Sequence, residues 1–149
     1  MSSYVLQLTH FVWSTSERKC WIEPEWQDSL FGYLGGIARN KGAKLLCAGG
    51  MPDHVHLLVS MPATHSLADM ANFLKANSSG WIHKEIPRRK LFRWQAGYAA
   101  FSVSKSLQSK VERYIKSQAE HHRRRSFKDE LRGLLVKHEI EFEEKYLWK

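Results

Sequence analysis

Two apolar runs, 43–50 (AKLLCAGG) and 54–61 (HVHLLVSM), are separated by little more than the tripeptide MPD at 51–53. So short a connection makes an antiparallel hairpin the economical pairing of the two runs as strands. The rest of the chain arranges itself around that hairpin. Upstream, residues 4–13 alternate as a strand does, with Tyr4, Leu6, Leu8 and Val12 on one face with His10, and Gln7 and Thr9 on the other. Pro24 sits near the start of a helix running to about Asn40, whose Trp26, Leu30, Leu34 and Ile37 fall at helical spacings. Downstream, Ser66 is placed to cap a helix reaching about Ile86, with Asp69 three residues on, Leu67, Met70, Phe73 and Leu74 on its apolar side and Pro87 ending it. A fourth strand is expected at 97–104, a helix at about 107–122 and a last amphipathic helix at 126–138. The order is β-α-β-β-α-β with two C-terminal helices, which is the ferredoxin-like arrangement of the α/β (α+β) class built on an antiparallel sheet. At 149 residues with no internal repeat or low-complexity linker, the chain is expected to form one domain, 1–149.

Charge narrows the partners. Lysine and arginine number 23 against 15 acidic residues, a net charge of +8, which suits a polyanion and nucleic acid more than a membrane. No apolar run approaches the roughly 20 residues of a spanning helix, and the first residues lack the basic, apolar and cleavage regions of a signal peptide, so a cytoplasmic location without a membrane is expected. Cys20 and Cys47 form no C-x-x-C pair, which supports neither a disulfide framework nor a cysteine zinc site.

Two constellations could carry chemistry. On a strand, His54 and His56 point the same way, about 6.6 Å apart, with Val55 on the opposite face. Two imidazoles so placed can converge on one ion, or can simply hydrogen-bond within a half-buried sheet. In the helix at 107–122, Tyr114 and Gln118 lie one turn apart on the same face. With Val111 at the centre of an apolar stripe beside Leu107 and Ile115, Gln118 falls just off centre and Tyr114 at the edge. A core-facing amide must be satisfied or it costs free energy, so Gln118 is either bonded to backbone or holds a ligand. Lys110, Arg113, Lys116, Arg123, Arg124 and Arg125 around them form a solvated face or a phosphate-binding one. Trp81, Phe92 and Trp94, near Arg88, Arg89, Lys90 and Arg93, could stack unpaired bases.

Taken together, PDHVHLLVS, GYAAFSVSKS, YIKSQAEHH, and SFKDEL followed by EFEEKYLW resemble the HUH single-tyrosine transposases of the smallest bacterial insertion sequences, the TnpA type, which act on single-stranded DNA. Host-encoded relatives associated with repetitive palindromes share these motifs. The resemblance spans nearly the whole chain. It implies that His54 and His56 are the metal-binding histidine pair and Gln118 the third ligand. It also implies that Tyr114 is the nucleophile, which attacks a DNA phosphorus and keeps the 5′ end as a phosphotyrosine. Hairpin recognition near the element's ends is implied too, and so is a homodimer in which the tyrosine helix can complete the partner's site.

The chemistry agrees with that assignment. A free tyrosine, with a pKa of about 10, is a weak nucleophile at neutral pH and needs an electrophile made more reactive. Two imidazoles and an amide oxygen suit Mg2+ or Mn2+ with positions left open for phosphate oxygens. A phosphotyrosine diester conserves the bond energy for rejoining, which a transposase needs. The same chemistry would serve a replication initiator or relaxase, though nothing helicase-like is present, and a non-catalytic nucleic-acid-binding module with structural histidines is the alternative from another class.

Overall fold

The computed structural model describes residues 1–147. Its elements are β1 (Leu8–Ser14), α1 (Pro24–Asn40), β2 (Lys44–Met51), β3 (His54–Ser60), α2 (Leu67–Glu85), β4 (Ala99–Val103), α3 (Gln108–Lys116), α4 (Gln118–His121), α5 (Phe127–Lys137) and α6 (Glu144–Leu147). The four strands form one sheet in the order β2-β3-β1-β4, each strand antiparallel to its neighbours. This is the expected ferredoxin-like arrangement.

Local sequence explains the frame. The β2–β3 hairpin closes on the Met51–His54 pair, leaving Pro52 and Asp53 as its turn. Pro24 occupies the first turn of α1, where its missing N–H is no loss. Ser66 caps α2, its Oγ accepting the Asp69 N–H at 3.0 Å. On one face of the sheet Phe11, Trp13, Val55, Leu57 and Val59 meet Trp26, Leu30 and Leu34 of α1 and Met70, Leu74 and Ile82 of α2. Each fully buried aliphatic side chain there stabilises the fold by about 1.5–3 kcal/mol.

The opposite face is covered by the C-terminal segments. Val12 and Phe101 pack on Phe127, Leu131 and Leu135 of α5, while Leu8, Cys47 and Leu58 pack on Ile115 of α3. Gly49 permits this, because a Cβ there would lie 2.0 Å from the Ile115 carbonyl oxygen. Any side chain at position 49 would push α3 off β2.

The structure departs from the sequence expectations in three places. The first strand starts at Leu8 rather than residue 4: its partner β3 ends at Ser60, opposite Leu8, so Tyr4, Val5 and Leu6 have no neighbour to pair with and lie exposed. The helix expected over 107–122 is a 3-10 turn at Lys105–Leu107, then α3, then α4 after a break at Ser117. The Ser117 hydroxyl competes for the carbonyls of Arg113, at 2.8 Å, and Tyr114, at 3.3 Å, and Leu107 points into solvent instead of joining the apolar stripe. Finally, Phe92 and Trp94 are core residues, fully buried and 9% exposed, so they are not available to stack bases. Among the described residues no helix is long and apolar enough to cross a membrane.

Candidate active site

Alternation along β3 places His54 and His56 on the face covered by α3–α5, and both are completely buried. His10 of β1 shares that face and reaches His56, Nε2 to Nδ1, at 2.8 Å. Asp53, in the hairpin turn, accepts the Nδ1–H of His54 at 2.7 Å. Helices α3 and α4 then bring the other two expected residues to the same place. Gln118 is 1% exposed, and its Oε1 accepts from His54 Nε2 at 3.1 Å. The Tyr114 ring lies edge-on to His56 at 5.8 Å between centroids. Four residues singled out by spacing alone, from strand and helix segments some 60 positions apart, therefore meet within one chain.

Two further residues join them that the spacing arguments passed over. Glu130, on α5, is 1% exposed. Its Oε1 accepts from His56 Nε2 at 3.0 Å and His122 Nε2 at 3.1 Å and lies 3.4 Å from His54 Nε2, while its Oε2 accepts the Tyr114 hydroxyl. His122, one turn after Gln118, also reaches Gln118 Oε1 at 3.1 Å. His54, His122 and Glu130 each offer one ligand atom, and these atoms lie within 4.8 Å of one another, so the group could hold a metal ion. The signal for Glu130 was in the sequence: in α5 it occupies the apolar stripe of Phe127, Leu131 and Leu135, the same anomaly that marked Gln118. Ser126 fixes the start of that helix by accepting the Asp129 N–H at 3.2 Å.

The electrostatics follow from burial against pairing. Burial, with His56 beside it, holds His10 down to about 3, so it is neutral. Burial also lowers His56, more than Glu130 raises it. For His54 burial acts in the same direction, but hydrogen bonds to Asp53 and Glu130 outweigh it and carry the imidazole up to about 9. Burial opposes charge on Glu130, yet His54 and His56 keep it ionised, well below the usual carboxylate range. Tyr114 is pushed above the ordinary phenol range by burial and by the Glu130 carboxylate, with Arg125 pulling the other way. In this arrangement Tyr114 holds its proton. Its ring lines a cavity of about 180 Å3 with His10, Phe101, Lys110 and Val111, which gives the side chain an approach from outside.

Of the expected DNA-contacting residues, Lys110, Arg113, Arg123, Arg124 and Arg125 are exposed around the tyrosine segment. Arg88, Arg89, Lys90 and Arg93 form a separate group, in which Arg88 and Arg89 both engage Glu23, Arg89 at 2.6 Å.

A single ferredoxin-like sheet covered by helices on both faces, with a histidine pair on one face meeting a tyrosine and a glutamine from the helices over it, defines a class, and the comparisons agree with it. The family described as "Transposase IS200 like" matches residues 3–118, and the chain belongs to that family. It is similar to the ISDra2 transposase TnpA of Deinococcus radiodurans, 31% identical over 121 residues, covering 77% of this chain and 86% of that protein. It is also similar to the transposase for insertion sequence element IS200 of Salmonella typhimurium, at 27% identity over 74% of this chain and 76% of the relative. Among solved structures, a Deinococcus radiodurans protein described as a transposase superposes with a TM-score of 0.65 at 28% identity, covering 79% of this chain and 95% of that one. A REP-associated tyrosine transposase solved with a REP hairpin superposes with a TM-score of 0.56, covering 77% of this chain and 70% of that one; at 14% identity it bears on the fold alone. Glu130 and His122 lie beyond the segment that the family matches.

Proposed function

We propose that this chain cleaves and rejoins single-stranded DNA at hairpin-marked ends, with Tyr114 as nucleophile and a divalent cation, Mg2+ or Mn2+, held by His54, His56 and Gln118. The observation that carries the reading is the convergence of these four residues on one buried face, with the Tyr114 hydroxyl held by a carboxylate that also contacts the imidazoles. The donor chemistry suits such a cation: His54 Nε2 lies 3.1 Å from the Gln118 amide oxygen and 3.4 Å from a Glu130 carboxylate oxygen that is itself 3.0 Å from His56 Nε2, and Asp53 and His10 orient the two histidines from behind. When bound, the cation supplies Lewis-acid polarisation of the scissile phosphate.

The chain's own residues do the rest. Attack by Tyr114 Oη forms the bond to phosphorus and breaks the bond from phosphorus to the 3′ oxygen, which leaves as a 3′ hydroxyl. The 5′ end stays on the protein as a phosphodiester, so a second strand's hydroxyl can reverse the exchange without ATP. Lys110, Arg113, Arg123, Arg124 and Arg125 hold the phosphates flanking that point, and Arg88, Arg89, Lys90 and Arg93 provide a second basic surface. Hairpin recognition is proposed on the strength of the family to which the chain belongs. A homodimer would carry two such sites, assembled within each chain or exchanged between them.

The reading is tested by incubating the protein with a single-stranded hairpin and Mg2+ or Mn2+. An adduct resistant to denaturant is expected. Tyr114→Phe should abolish it with binding largely retained, and EDTA should suppress it with a smaller loss of binding. An undiminished adduct in the phenylalanine variant rejects Tyr114 as nucleophile; cleavage indifferent to EDTA rejects the metal.

A further inference from the structure

We propose that Glu130 couples the nucleophile to the metal site, Oε1 serving as a ligand beside His54 and His56 while Oε2 holds the Tyr114 hydroxyl. This rests on the metal-and-tyrosine reading above and adds to it a residue that comes from α5, beyond the segment matched by the family.

Packing does not explain a glutamate at this position. Its neighbours on the α5 stripe, Phe127, Leu131 and Leu135, pack on Val12 and Phe101, and a leucine at 130 would continue that contact. A buried carboxylate instead carries a desolvation penalty of several kcal/mol unless it is fully paired. Here the pairing is specific to the site. One oxygen faces the Nε2 atoms of three imidazoles, at 3.0 Å from His56, 3.1 Å from His122 and 3.4 Å from His54, and the other receives the tyrosine hydroxyl.

Charge supports the same role. As ligands, His54 and His56 would bind through deprotonated, neutral imidazole nitrogens and Gln118 through an amide oxygen, so none of them brings negative charge to a dication, and hard cations such as Mg2+ and Mn2+ favour anionic oxygen. Glu130 is the buried carboxylate within reach of all three imidazoles. Because its two oxygens face different partners, the group that ligates the cation also fixes where the phenol oxygen lies relative to it. Glu130 is thus a positioning residue for Tyr114 as well as a ligand, and His122, contacting both Glu130 and Gln118, braces the two oxygen donors.

The test uses the full chain, stripped of metal and without DNA. Mn2+ binding is measured by calorimetry for the wild type, His54→Ala, Glu130→Gln, Glu130→Asp and Tyr114→Phe, with circular dichroism melts to verify folding. Glu130→Gln should weaken Mn2+ binding by about tenfold or more, on the scale expected for loss of a supporting metal-site group. Glu130→Asp, which keeps the charge but retracts the carboxylate, should weaken it severalfold, and Tyr114→Phe should leave it within about twofold. In protein labelled with 3-fluorotyrosine, the fluorine resonance that disappears in Tyr114→Phe should shift when Mg2+ is added to the wild type, and should be displaced in Glu130→Gln without any metal. If the folded Glu130 variants bind Mn2+ as the wild type does while His54→Ala loses it, Glu130 is not a ligand and the metal-and-tyrosine reading survives. If the Tyr114 resonance is indifferent to Glu130→Gln, the positioning role falls. If wild type and His54→Ala bind Mn2+ equally weakly, both readings fall together.

Discussion

The two faces of the sheet are built from the same strands and have opposite characters. Toward α1 and α2, β1 and β3 present Phe11, Trp13, Val55, Leu57 and Val59, and the layer is predominantly apolar. Toward α3–α5 the same strands present His10, His54 and His56, met by Gln118, His122, Glu130 and Tyr114. Because neighbours in a strand alternate faces, a single residue step separates the apolar core from the candidate site. The polar layer can bury groups that would otherwise be costly to desolvate because they are paired with one another.

Adjacent substitutions break that comparison most sharply. Leu57→Ala, on the apolar face, should remove about 2–5 kcal/mol of stability, read as a lower midpoint in denaturant, with cleavage per folded molecule preserved. His56→Ala, one residue away, should reduce cleavage per folded molecule by about a hundredfold or more, a barrier increase of about 2.7 kcal/mol. Equal loss of specific cleavage in both would mean that the two faces are not functionally distinct.

How far the sequence revealed each face differs for the same reason. The apolar layer repeats simple periods, so α1, α2 and the β2–β3 hairpin were legible within a few residues. On the other face His54 and His56, two residues apart on β3, and Tyr114 and Gln118, four residues apart across the break at Ser117, were legible because local spacing was enough to single them out. Glu130 and His122 were not, since their meaning depends on α5 folding back over the sheet, a tertiary event that no local period encodes; a carboxylate in the α5 stripe was the available hint. The overlong first strand and the basic-aromatic segment failed similarly. Strand length was set by the partner β3, and Phe92 and Trp94 were drawn into the core by contacts with Trp21, Trp26 and Trp13.

The substrate sharpens the comparison at a smaller scale. A hairpin with single-stranded flanks should outcompete a fully paired duplex of the same sequence by about tenfold, because entry to a site on a covered face requires unpaired strand, and unpairing costs a few kcal/mol. Equal competition would point to a duplex nuclease. Smallest of all, Arg124→Ala, on the exposed rim, should weaken binding a few-fold and lower the slope of log affinity against log salt by about one, with stability unchanged. A slope identical to the wild type would remove Arg124 from the DNA surface.

The most direct measurement is to digest the covalent protein–DNA adduct with trypsin and map the modified peptide by mass spectrometry. The fragment 114–116 should carry the DNA through Tyr114 Oη and a 5′ phosphate. A linkage to any other residue, or to a 3′ phosphate, would contradict the assignment of this face as the one that breaks and rejoins the strand.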